Sequence, residues 1–200
     1  MKTVGLFSIP LTKIEDAILF TGDEINFINS TKYVEKANNN LFTEDYNILN
    51  SLPSINSQLE KILNNYSNSV LGFKNNELYI TNSWCVKTPK GGYHPKHSHP
   101  NSIISGVLYI DVGVENQHIV FENEAQVFKK FNFLVDKNDN EYNTNRLSIK
   151  IKSKDLILFP SWLDHEVPEN KTNTTRLILG FNTFIKGKMG NNVYPTELSI

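Results

Sequence analysis

Apolar and polar residues follow one spacing in the first third of this chain and another after about residue 77. In the first part Leu59, Ile62, Leu63 and Tyr66 recur at helical intervals. They sit on and after Ser57-Gln58-Leu59-Glu60, which has the form of a capping box. Asp23 to Ala37 is also compatible with a helix, although Asn26, Asn29 and Thr31 weaken its propensity. Thr3 to Ile9 reads as a short strand ended by Pro10. Beyond residue 77 the runs Glu77 to Lys87, Ile103 to Val112, His118 to Glu122, Leu147 to Lys152, Asp155 to Phe159 and Thr175 to Ile185 are β-rich. Gly, Pro, Asn and Asp separate them. Short strands at this spacing predict an all-β sandwich or jelly roll. Helices followed by strands do not alternate as βαβ units, which argues against a Rossmann-type sheet, and neither common glycine-rich phosphate loop is present. The expected fold is mostly β with N-terminal helices: a helical layer over residues 1–76 packed on a β-barrel over residues 77–186, in one domain of 200 residues.

Composition removes several function classes. With 20 Lys+Arg against 21 Asp+Glu the net charge is −1, which gives no general field for a polyanion and argues against broad nucleic-acid binding. One cysteine excludes an intramolecular disulfide and any multi-thiolate zinc or iron–sulfur site. No apolar run approaches the roughly 18–20 residues of a membrane span. The start of the chain meets Pro10 early and has no small-residue cleavage site, so no signal peptide is read and a cytoplasmic protein is expected. Of the 20 basic residues only Arg146 and Arg176 are arginines, while Asn occurs 27 times. AT-rich coding explains that bias most simply, and it makes each arginine worth a separate question.

Chemistry concentrates at the histidines. Three of the five fall in Gly91-Gly92-Tyr93-His94-Pro95-Lys96-His97-Ser98-His99-Pro100. On a strand His97 and His99 project to one side, as two ligands of one metal ion would. If no bulge intervenes around Pro100-Asn101-Ser102, Ser105, Val107 and Tyr109 share that side, which becomes the inside of the barrel. An exposed turn with no metal is the blander alternative, and a third ligand from a distant segment would weigh against it. His165 is that candidate, after the apolar run Asp155 to Phe159 and the turn Pro160-Ser161-Trp162-Leu163-Asp164. Arg176 opens the next apolar run; antiparallel pairing of the two segments would bring it near His165. A guanidinium there needs an anion, either a neighbour such as Asp164 or Glu166 or the carboxylate of a ligand.

His97-Ser98-His99-Pro100-Asn101-Ser102-Ile103-Ile104-Ser105-Gly106-Val107-Leu108-Tyr109-Ile110, followed by Phe159-Pro160-Ser161-Trp162-Leu163-Asp164-His165 and then Arg176 to Asn182, resembles a group of Fe(II)/2-oxoglutarate-dependent oxygenases. That group is related to the prolyl hydroxylases and is often encoded by bacteriophages. The resemblance covers roughly residues 82–185, with a weaker echo in Leu6 to Leu11. It implies a double-stranded β-helix (a jelly roll, cupin-like) with iron at its open end and O2 and 2-oxoglutarate as co-substrates. Carried over by position, His97, His99 and His165 would ligate iron, and Arg176 and Tyr109 would bind the far carboxylate of 2-oxoglutarate. Trp84 would be cavity wall. His99 occupies a slot where most of the superfamily has Asp or Glu, and a 2-His-1-carboxylate triad is the usual non-haem site. A three-His site is more positive, opens competition from Zn, Ni or Cu, and leaves open whether His94 or a carboxylate replaces His99. The implied activity is hydroxylation of an unidentified substrate, a peptide or protein side chain being favoured, in the host cytoplasm if phage-encoded. A homodimer is left open.

Two other readings of the residues stand beside it: a cupin-like barrel that holds a metal or small ligand without 2-oxoglutarate, and a jelly roll used only in assembly. Cys85 reads as a small buried side chain, His118 as surface or structural, Arg146 as surface, and Asn182 as a residue near the strand end that need not face the cavity. His94 is open between support of a ligand, substrate contact and simple loop residue. The polar segment Val127 to Arg146 reads as a lid or a surface excursion.

Overall fold

The computed structural model describes residues 2, 5, 7–74, 76–113, 117–123, 144–190 and 196–200. In chain order the elements are β1 (Thr12–Ile14), α1 (Gly22–Ser30), β2 (Tyr33–Lys36), β3 (Asn40–Thr43), a 3-10 turn (Ile48–Ser51), α2 (Pro53–Ser69), β4 (Asn76–Thr88), β5 (His94–His97), β6 (Ile104–Asp111), β7 (Gln117–Glu122), β8 (Arg146–Ile151), β9 (Leu156–Pro160), β10 (Asp164–Val167), β11 (Arg176–Met189) and β12 (Leu198–Ser199). The larger sheet runs β1-β9-β6-β11-β4-β3-β2, with β12 added to β11; the smaller runs β5-β10-β7-β8. Pairing is antiparallel throughout these ladders. The two sheets face each other as a jelly roll. Neither α1 nor α2 is long and apolar enough to cross a membrane.

Strand periodicity sorts side chains between two cores. On β6, Ile104, Leu108 and Ile110 join Leu177, Leu179 and Phe181 of β11 beneath Ile55, Leu59 and Leu63 of α2. Their alternates look the other way. Tyr109 joins Ile119, Phe121, Ile157 and Phe159 between the sheets, with Val107 and Ile178 packed against them. Close approach of β6 and β11 sets one residue: Gly106 lies opposite Phe181, and a Cβ at position 106 would fall 2.1 Å from that ring.

All six predicted β runs are strands, within a few residues at their ends. The N-terminal third is less helical than its pattern suggests. α1 stops at Ser30, and Tyr33–Lys36 folds back as β2 on β3, because Asn38 and Asn39 take the left-handed backbone conformation that Asn tolerates in turns. Residues 1–76 therefore also supply three strands of the larger sheet. Ser57 is not a cap: α2 begins four residues earlier with Pro53 in its first turn. The carboxylate of Glu24, one turn into α1, accepts the N–H groups of Ser54 and Ile55 at 2.8 and 3.1 Å and so caps α2 from outside. Thr21 caps α1 by accepting the Glu24 N–H, and its hydroxyl donates to the Glu24 carboxylate. Of the expected strand Thr3 to Ile9, residues Thr3, Val4 and Leu6 lie outside the described residues, and Phe7 to Ile9 are not strand. The first strand follows Pro10, at Thr12–Ile14 on the sheet edge.

Candidate metal centre

Between the sheets lies a cavity of about 510 Å³ into which both sets of predicted residues project. His97 ends β5 and His165 lies on β10, directly opposite it in the ladder. His99 follows β5 by two residues, and its backbone N–H donates to the Ser161 carbonyl at 2.8 Å, which ties it to the turn between β9 and β10. One ring nitrogen from each of the three lies within 4.8 Å of the others. Ring centroids are 4.3 Å apart for His97 and His165, 5.0 Å for His99 and His165, and 5.3 Å for His97 and His99.

Each ring is held through the same nitrogen. Nδ1 of His97 donates to the Pro95 carbonyl at 2.7 Å, and Nδ1 of His165 to the Leu163 carbonyl at 3.1 Å. Nδ1 of His99 donates to Oδ1 of Asn182 at 2.6 Å, with the Ser105 hydroxyl 2.9 Å away. Ser105 also donates to Asn182 Oδ1 and meets Ser161, which meets Ser102. A carbonyl oxygen can only accept, so the proton resides on Nδ1 and Nε2 keeps a lone pair. Metal-binding imidazoles need this tautomer, together with an acceptor that orients it.

Burial favours the neutral form of His165, His94 and His99. It is the largest cause that lowers His165 to about 3 and His94 to about 4; His97 lowers both further, and Arg176 also acts on His94. His99 is lowered by burial too, against the opposing effect of its hydrogen bond to Asn182. An unfolded histidine titrates near 6.5. As pH falls below that value the unfolded chain takes up protons that the folded rings refuse, so stability drops progressively toward pH 4 to 3. Denaturant midpoints of the metal-free protein should therefore fall between pH 7.5 and pH 5. A flat profile would mean that these rings are not held neutral.

At the other side of the cavity Arg176 opens β11 and is 3 % exposed. Its Nη1 donates to Oε1 of Gln117 at 3.0 Å, while among the described residues its Nη2 and the buried hydroxyl of Tyr109 have no hydrogen-bond partner. Burial raises the Tyr109 phenol and works against the Arg176 charge. Among the described residues no Asp or Glu lines the cavity.

Several expectations change in detail. His165 and Arg176 are not on paired strands: β10 pairs with β5 and β7, β11 with β4 and β6, and the two residues meet across the cavity. The reason is that the residues between them carry the chain from one sheet to the other. Likewise His97 and Tyr109 share no strand face. They sit on opposing sheets and look inward because the chain crosses over at Pro100 to Ile103, with Asn101 left-handed. Among the described residues Arg176 forms no ion pair with Asp164 or Glu166. Glu166 pairs instead with Arg146, which is exposed as expected and also lies 3.4 Å from Glu122. His94 lines the cavity, 6.3 Å from His97 and edge-on to Phe42. Trp84 is cavity wall and lies over Gly180, where a Cβ would be 3.0 Å from the indole. Asn182 does face the cavity. Cys85 points away, fully buried, with its thiol pushed up to about 12 by burial, which leaves it no nucleophilic role. His118 is off the cavity, half-buried on β7. Of the segment 127–146, residues 127–143 lie outside the described residues.

The family described as "Putative 2OG-Fe(II) oxygenase" matches residues 82–182. No curated relative matches the sequence. Among solved structures the chain is similar to a 2OG-Fe(II) oxygenase family oxidoreductase from Burkholderia pseudomallei, with 11 % identity, a TM-score of 0.62, and 86 % of this chain and 83 % of that one covered. A prolyl-4-hydroxylase from Pseudomonas putida aligns at 11 % identity and TM-score 0.55 over 88 % of this chain and 92 % of that one. HygX from Streptomyces hygroscopicus, solved with nickel and 2-oxoglutarate bound, aligns at 13 % identity and TM-score 0.54 over 88 % and 82 %.

Proposed function

This chain belongs to the 2OG-Fe(II) oxygenase family, and from that premise we propose that His97, His99 and His165 hold its iron while Arg176 and Tyr109 hold 2-oxoglutarate. One observation carries the reading. A single cavity presents three imidazoles oriented through Nδ1 and, facing them, two buried donors that have no partner among the described residues. A buried donor left unmade costs about 1–3 kcal/mol, so a ligand that supplies acceptors there recovers that cost. A carboxylate fits both donors and the guanidinium charge.

When bound, Fe(II) with 2-oxoglutarate and O2 supplies the oxidising chemistry, in which co-substrate decarboxylation to succinate accompanies hydroxylation of a substrate C–H. The protein's own residues do the positioning. Pro95, Leu163 and Asn182 fix the three rings so that each Nε2 is available. Arg176 and Tyr109 bind the far carboxylate, which sets the reach of the co-substrate toward the histidines. Val107, Ile119, Val167 and Ile178 line the same cavity and exclude water. The position of His99 leaves the site without a protein carboxylate, so the ligand set is neutral and relies on bound anions for charge balance. Likeness to prolyl hydroxylases supports a peptide or protein side chain as the substrate, and a cytoplasmic setting, the host's if the chain is phage-encoded, is the matching location.

Purified protein with Fe(II), ascorbate and 2-oxoglutarate should form succinate even without the prime substrate, at the slow uncoupled rate. Metal uptake without any 2-oxoglutarate binding or succinate would instead leave a metal-binding barrel of cupin type.

A further inference from the structure

Arg176 is enclosed by the fold, yet its hydrogen-bond partner is an amide. Its Nη1 donates to Oε1 of Gln117, and Gln117, the buried first residue of β7, donates through Nε2 to Oδ1 of Asn170 at 3.4 Å. Asn170 has no solvent exposure. Its Nδ2 donates to the carbonyls of Thr88 at 2.9 Å and Thr174 at 2.8 Å, and its Oδ1 also accepts from the Thr172 hydroxyl. Thr88 is the residue opposite Arg176 in the β4–β11 ladder. A chain of neutral groups therefore braces the guanidinium from behind, and every link in it is anchored to backbone or to another side chain.

The choice of an amide has a consequence. A buried guanidinium is most stable with a carboxylate, and Glu has nearly the shape of Gln, so a permanent ion pair was sterically available at position 117. The amide fixes the direction of Arg176 and, among the described residues, leaves its charge unanswered, with Nη2 and the Tyr109 hydroxyl still open. We propose that Gln117 is the positioning residue that keeps Arg176 oriented but uncompensated, so that the anionic end of the co-substrate supplies the missing charge. This rests on the assignment of Arg176 to 2-oxoglutarate made above. Gln117 touches the ligand only through Arg176, and its effect is on co-substrate affinity and selectivity for a dianion.

The test compares Gln117→Glu and Gln117→Met in the full chain, with 2-oxoglutarate binding to the Ni(II)-loaded protein measured by calorimetry and turnover measured with Fe(II). Gln117→Glu should bind 2-oxoglutarate roughly tenfold or more weaker, because the new carboxylate competes for the guanidinium. Its KM should rise in parallel, while kcat at saturating co-substrate stays within about threefold of wild type, a split that a general loss of structure does not give. Gln117→Met removes the brace without adding charge and should weaken binding by less than Gln117→Glu does. A folded Gln117→Glu protein that binds like wild type overturns the proposal. So does a Gln117→Met protein that is unaffected, or one that is hurt more than Gln117→Glu; this second variant decides the matter if the first does not fold. Wild-type protein that takes up metal but no 2-oxoglutarate overturns the underlying assignment and Gln117 with it, an outcome distinct from the failure of Gln117 alone.

Discussion

His165→Ala is expected to abolish succinate formation and to weaken metal binding by at least about a hundredfold, beyond the 10–100-fold that loss of a group orienting a ligand typically costs. The position of this residue explains the size of the effect. His165 is 3 % exposed and completes a triangle with the other two rings, 4.3 Å from His97 and 5.0 Å from His99. Removing it leaves two imidazoles, and no Asp or Glu among the described cavity residues can replace it. His94, beyond His97, is the remaining imidazole on the wall. The substitution also empties space against Phe159, 4.7 Å away, so the fold must be checked by a melting curve in the absence of metal. His94→Ala is the matched control and should keep the metal. Metal titration followed by a succinate assay reads both effects, and a His165→Ala protein that still turns over would falsify the three-histidine site.

The same residues show how much of the molecule the sequence discloses. β4, β6, β9 and β11 are legible because each is long or strongly apolar; β6, β9 and β11 alternate between two cores, and β4 alternates between a core and the cavity wall. β5 and β10 are not, because they are four-residue strands, His-Pro-Lys-His and Asp-His-Glu-Val, whose composition answers to the site rather than to a core. Motif likeness still points to His97, His99 and His165, which the fold brings together, since two of the three lie in one short run. Facing sheets, not paired strands, bring Arg176 to the cavity that holds His165, a placement that local pairing of the two segments does not give. The bracing groups were out of reach. Asn182 is 83 residues from His99 and Gln117 is 59 from Arg176, and only the finished jelly roll closes those distances. A register signal did exist for Asn182, since it lies six residues after Arg176 on the same strand face.

Arg176→Ala should leave the metal in place and raise the 2-oxoglutarate requirement by about a hundredfold or more. Hydrogen bonds to a charged group contribute about 1.5–3 kcal/mol each, and Arg176 has one open nitrogen, Nη2, beside its charge. A loss near 3 kcal/mol corresponds to a factor of roughly 100 to 200 in affinity. Tyr109→Phe removes a single neutral donor and should cost about tenfold or less. Arg176→Lys separates charge from shape: an ammonium keeps the positive charge but not the planar fork that serves Gln117 and a carboxylate together. It should therefore fall between wild type and Arg176→Ala in KM. Since neither Arg176 nor Tyr109 belongs to the histidine cluster, metal affinity should be unchanged in all three proteins. Concentration series in 2-oxoglutarate at fixed Fe(II), with metal titrations alongside, make the comparison. An unaltered co-substrate dependence in Arg176→Ala would return this arginine to a structural role, and the neutral brace behind it would then have no ligand to answer.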